Sequence, residues 1–168
     1  MKKEDVLRAE LGALLRGGNA HLTFEEVVDK FPLGRINEKA PHMPYSAWHL
    51  LEHMRIVQWD IAAFIRDPDH VSPHWPQGYF PDPAVKADAP GWRKTVQAFL
   101  ADRAALENMA ADKTIDLFKP IAHAGDYTVF REIVLAADHN AYHTGELAFM
   151  RQVLQAWPKG QAIYQQPQ

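Results

Sequence analysis

The stretch Ile133-Val-Leu-Ala-Ala-Asp-His-Asn-Ala-Tyr-His-Thr-Gly-Glu-Leu-Ala-Phe-Met-Arg-Gln-Val-Leu-Gln-Ala-Trp157 decides how the chain is read. Ile133, Ala136, Leu147, Met150, Leu154 and Trp157 recur at the spacing of one helical face. The spacing predicts a helix from about Thr128 to Trp157, closed by Pro158. At the α-helical rise, about thirty residues span ~45 Å. Within it His139 and His143 stand about one turn apart, so both imidazoles project to the same side. They occupy the stripe positions between Ala136 and Leu147. Two adjacent histidines on a core-facing stripe need a physical reason, and a bound metal is the best one, because neutral imidazole is the commonest protein metal ligand.

Working outward, the rest of the chain is also helical. Leu7, Leu11, Leu14 and Leu15 predict a helix from about Glu4 to Arg16, stopped by Gly17-Gly18. Thr23-Phe-Glu-Glu26 has capping-box spacing and opens a short helix running to Lys30. Leu50, Met54, Val57, Ile61 and Ile65 stripe a strong helix from about Tyr45 to Arg66, closed by Asp67-Pro68. Trp92, Val96, Phe99, Leu100, Leu106 and Met109 stripe another, begun near Pro90 and ended near Asp112. Between these two lies a segment rich in proline and aromatic residues, including Pro73, Trp75, Pro76, Tyr79, Phe80 and Pro81. It is too apolar for a plain linker, and such loops cover a site or pack on the core. No segment of length alternates apolar and polar residues, so almost no sheet is expected. The expectation is an all-α chain, residues 1–168 forming one helical-bundle domain of four main helices, with about 159–168 a tail. The two long loops allow crossovers.

The chain has 168 residues and a formal net charge of -3, with no basic footprint for nucleic acid and no polybasic membrane signal. It has no cysteine, which excludes disulfides, thiolate zinc sites and a cysteine nucleophile. Any transition metal must use His, Asp or Glu. The N-terminal stretch turns amphipathic too soon for a signal peptide, and no apolar run reaches the length of a membrane span. A cytoplasmic location is expected.

Catalytic metal sites keep three protein ligands and leave positions open. If His139 and His143 are two of them, a third must come from another helix. The Tyr45–Arg66 helix offers His49 and His53, again four apart. Glu146 lies only ~20° off the line of His139, and Glu132 lies about two turns before it. Either can orient an imidazole or act as a base. An isolated histidine on an apolar face is ordinarily a satisfied core residue; two i,i+4 pairs on neighbouring helices weigh against that. A zincin is excluded because Asn140 stands where H-E-x-x-H needs glutamate. A di-iron bundle is excluded because no Glu-x-x-His pair is present. His70 and His74 are broken by Pro73 and read as an exposed loop pair. His123 is a substitute ligand at best, and His21 and His42 carry no constellation. Ser46 reads as a cap or first-turn residue.

Two segments carry a resemblance. Pro44-Tyr-Ser-Ala-Trp-His-Leu-Leu-Glu-His-Met54 with Trp59-Asp60 resembles the second-helix signature of the DinB/YfiT-like family. Ala137-Asp-His-Asn-Ala-Tyr-His-Thr-Gly-Glu-Leu147 resembles its H-x-x-x-H-x-G-[QE]-L signature. The resemblance implies a four-helix bundle with crossover loops. It implies one divalent metal, nickel or zinc, on His53, His139 and His143, with His49 a variable pocket residue. It also implies a homodimer and a small-molecule substrate. Relatives include transferases and isomerases that use low-molecular-weight thiols, so a thiol-dependent transferase, isomerase or hydrolase is expected, with a thiol cosubstrate. Glu146 stands where the family more often has Gln. Tyr45, Trp48, Trp75 and Tyr79 are candidates for the site entrance, against ordinary core packing. The competing expectation is a non-catalytic, metal-stabilised or dimeric stress-response module.

Overall fold

A computed structural model describes residues 2–159. Five α-helices follow in order: α1 (Lys3–Arg16), α2 (Phe24–Val28), α3 (Ala47–Arg66), α4 (Ala89–Ala111) and α5 (Val129–Val153). Single 3-10 turns at Leu33–Arg35 and Gln77–Tyr79 interrupt the loops. Among the described residues the only β pairing is an isolated bridge between Pro120 and Thr128. No described helix is long and apolar enough to cross a membrane. Apart from Lys159, the expected tail lies outside the described residues.

The helix starts follow from short polar side chains that accept a bond from an otherwise orphaned first-turn N–H. Ser46 caps α3 through the His49 amide, Asp88 caps α4 through Gly91, and Thr128 caps α5 through Arg131. Thr23 and Glu26 form both halves of the capping box on α2. That helix stops at Val28, short of Lys30, because Lys30 takes the left-handed conformation at φ 50°. The last helix also stops early, at Val153 instead of Trp157. Gln155 turns left-handed at φ 50°, and the buried Arg151 guanidinium donates from Nε to the Ala156 carbonyl at 3.1 Å, folding the chain back. The same side chain donates 2.7 Å to the Val27 carbonyl, tying the end of α2 to the end of α5.

α3 packs on α4 and α5, and α1 packs on the same two helices. Two apolar clusters fill the interior. One gathers Phe24, Leu50, Met54, Trp92, Phe99 and Leu147; the other gathers Leu11, Leu15, Ile61, Leu106 and Ile133. Between them the buried Gln58 donates to the Phe99 carbonyl of α4 and accepts from Asn140 Nδ2 of α5 at 2.6 Å. One amide therefore joins three helices, with its polar atoms satisfied.

The centre of the α5 stripe differs from the expectation. Ala137, Asn140 and Thr144 are the buried residues between Ala136 and Leu147, while His139 and His143 sit at the stripe's edge, half-buried. The buried face of α5 is wide enough to take adjacent pairs, and Asn140 is drawn inward by its bond to Gln58. The histidines are thereby displaced toward α3 and the loop that covers it.

Phe99 is 1% exposed and stacks on Phe24 with ring centroids 4.0 Å apart. Phe99→Ala is expected to cost about 3–5 kcal/mol of stability through lost transfer energy and the cavity left behind. Urea denaturation followed by circular dichroism checks this; a loss under about 1 kcal/mol would contradict the packing described.

Candidate metal centre

His53 projects from the middle of α3, and His139 and His143 from adjacent turns of α5. Because α3 and α5 pack side by side, three imidazoles meet. One ring nitrogen from each lies within 4.8 Å of the others. His53 Nε2 is 3.1 Å from His139 Nε2 and 3.3 Å from His143 Nε2. Two nitrogens on one tetrahedral ion at about 2.0–2.1 Å lie roughly 3.3 Å apart, so this spacing suits a shared metal.

The protons decide what the nitrogens can do. His53 Nδ1 donates to the Tyr79 carbonyl at 2.8 Å, and a carbonyl only accepts. The His53 proton is therefore on Nδ1, and Nε2 carries a lone pair. His143 Nδ1 donates to Glu146 Oε2 at 2.7 Å, which leaves its Nε2 with a lone pair as well. Those two lone pairs face one another at 3.3 Å, with His139 Nε2 3.1 Å from the His53 nitrogen, so three ring nitrogens converge on one point. Burial, then the neighbouring His143 and His53, push His139 down to about 3, and burial with the nearby His143 also lowers His53. Neutral imidazoles converging on one point are a donor set for a divalent transition metal.

The surroundings hold the rings in place. Phe80 stacks on His53 with centroids 3.9 Å apart and planes within 7°. Glu146 accepts from His143 with one oxygen and from the Tyr45 hydroxyl with the other. Burial first and Glu146 second raise the Tyr45 phenol above its ordinary value, so it remains a donor. His139 Nδ1 is buried with no hydrogen-bond partner among the described residues, so packing and the contact of its Nε2 with His53 set that ring. Beside Glu146 opens an apolar hollow of about 500 Å³, lined by Met43, Tyr142, Gly145, Phe149 and Val153. None of the three histidines lines this hollow, and none lines a larger cleft of about 960 Å³ between Phe31, Trp92 and Trp157.

Other candidates from the sequence fall elsewhere. His49 is buried on Ser46 Oγ at 2.6 Å and is not in the cluster. Glu132 is buried and pairs with Arg131, so it orients none of the three rings. His70 is not exposed as expected: its side chain is 8% accessible and bonds Asp60 at 2.6 Å, because the loop folds back on α3. His74 is exposed. His123 bonds the Phe64 carbonyl at 2.7 Å. Trp48 is core, and Trp75 is largely exposed. Sequence reasoning missed the Tyr79 carbonyl and the Phe80 ring. The proline and aromatic content of the loop announced a cover, but any residue carries a carbonyl, so composition could not say which one would meet His53.

No family model, curated protein or solved structure matches this chain.

Histidines held neutral below their ordinary value of 6.5 make the metal-free fold sensitive to acid. The unfolded chain binds protons there first, so stability falls as pH drops below about 6.5 toward 3, and is retained above it. Urea midpoints of metal-free protein should be lower at about pH 5 than at about pH 7.5, and His139→Leu should flatten the difference. Equal pH dependence in that variant would show that His139 is not responsible.

Proposed function

We propose that the chain is a divalent-metal-dependent enzyme of the DinB/YfiT-like type, holding one nickel or zinc ion on His53, His139 and His143. In this reading α1, α3, α4 and α5 are the four helices of the bundle, and the two long connections are its crossovers. One observation carries it: the lone pairs of His53 Nε2 and His143 Nε2 face each other at 3.3 Å with both distal protons already committed. When bound, a divalent cation supplies Lewis acidity to a water or thiol placed at its remaining positions.

The chain's own groups prepare the site for that chemistry. Glu146 holds His143 in the ligating tautomer and keeps the imidazole electron-rich. Tyr45 ties up the other Glu146 oxygen and stays protonated, fixing the carboxylate. Phe80 closes one side of His53 and excludes water from that face. The hollow next to Glu146 has the size and apolar character of a site for a small substrate, for which a low-molecular-weight thiol is the proposed cosubstrate. A homodimer belongs to the same reading; Tyr142, Phe149 and Val153, which line that hollow, leave one apolar line of α5 exposed, and a second copy covering it would also close the hollow.

Protein purified without a histidine tag should contain about one nickel, zinc or similar ion per chain. His53→Ala should weaken metal binding by at least about 100-fold while leaving the helix content intact, since even an outer-shell partner costs 10–100-fold. His49→Ala should leave binding unchanged. Absence of stoichiometric metal with no binding on titration, or loss of binding in His49→Ala alone, would overturn the assignment. With metal present, thiol transfer to a panel of electrophiles tests catalysis; no activity above free metal points to a non-catalytic module.

A further inference from the structure

His49, His53 and Asp60 share one face of α3, one turn and then two turns apart. The connection between α3 and α4 runs back along this face like a strap. Its Asp82 carbonyl lies 3.3 Å from His49 Nε2. Its Tyr79 carbonyl accepts from His53 Nδ1, and its Phe80 ring lies flat on His53. At the far end the strap is fastened to Asp60. Asp60 Oδ1 accepts from His70 Nε2 at 2.6 Å, and Oδ2 accepts from the Tyr79 hydroxyl at 2.7 Å. Asp60 is 8% exposed, and a buried carboxylate is costly unless its lone pairs are used. Here both oxygens are used by the strap, so releasing the strap would strand the carboxylate.

Tyr79 is therefore held at two points that serve different purposes. Its hydroxyl is bound by Asp60, and its carbonyl decides where the His53 proton sits. The distance from Asp60 to His53 along α3 is two helical turns, and one tyrosine spans it. A ligand histidine without a fixed distal acceptor populates both tautomers and turns more freely, and must be re-ordered when metal binds.

We propose that Asp60 is a positioning residue of the three-histidine centre: through Tyr79 it keeps the His53 proton on Nδ1 and so keeps Nε2 ready to ligate. The inference rests on the metal reading above and deepens it.

Asp60→Asn and Tyr79→Phe, made separately in the full chain, test it. Co(II) titration measures binding, nitrogen-15 NMR of the imidazoles in metal-free protein reports the His53 tautomer, and circular dichroism reports the fold. Each variant should bind Co(II) about 10–100-fold more weakly than the unmodified chain at unchanged helix content. Each should also show a new population of His53 protonated on Nε2, which general loosening of the loop at a remote point would not produce. Should Asp60→Asn fail to fold, Tyr79→Phe decides, since it removes one hydroxyl and leaves the His70 bond in place. Tyr79→Phe binding Co(II) within about twofold of the unmodified chain, with His53 still protonated on Nδ1, overturns the proposal. If the unmodified chain takes up no Co(II), the metal reading fails instead, and the tautomer comparison alone judges the role of Asp60.

Discussion

The side-by-side packing of α3 on α5 is the constraint on which the rest depends. It brings His53 across from His139 and His143, and it can do so only in one register, because a shift of a single residue turns a helix face by about 100°. Gln58 holds that register. Its side chain bonds both α4 and α5 from a fully buried position, and a misplaced α5 would leave the Gln58 amide oxygen and Asn140 Nδ2 without each other. An apolar contact tolerates sliding far better than a buried hydrogen bond does. The polar node below the site thus gives the three-histidine cluster its geometry, while the surrounding leucines and phenylalanines supply most of the driving force.

The cluster supports its three histidines unevenly. His53 is fixed by a carbonyl, a stacked ring and the strap that carries both. His143 is fixed by a carboxylate that is itself braced by a tyrosine. His139 has neither, and its distal nitrogen is buried without a partner among the described residues. Its position on α5, between Ala136 and the turn carrying His143, does the work that hydrogen bonds do for the other two. A ring with no distal acceptor can adjust when a ligand arrives, whereas the other two are set beforehand.

Much of this was legible in the residues. The helix pattern, the capping box at Thr23 and Glu26, the cap at Ser46, the start of the last helix near Thr128, and the His139–His143 pair all depend on near neighbours in sequence, and short-range spacing reports such features directly. The helix ends were read less well. α5 runs on in the pattern to Trp157, yet Arg151 folds the chain back after Val153 by reaching carbonyls on either side of it. His70 read as exposed because its partner, Asp60, sits on a different element. Glu132 read as a candidate for the site because it lies on the right line of the helix, but it is bonded to Arg131.

The sequence by itself determined the helical class, where the five helices begin to within two residues, and the His139–His143 pair, because each is settled by residues within one or two turns of each other. The residue pattern left His49 and His53 open and the resemblance pointed to His53; the tertiary structure brings His53, and not His49, to the α5 histidines. The two differ by one turn on the same face, and what separates them is the neighbour each meets: Ser46 for His49, the α5 histidines for His53. It also decided which carbonyl keeps the His53 proton in place. That contact joins α3 to a residue of the following loop through a backbone atom every residue possesses, so no side-chain pattern could encode it.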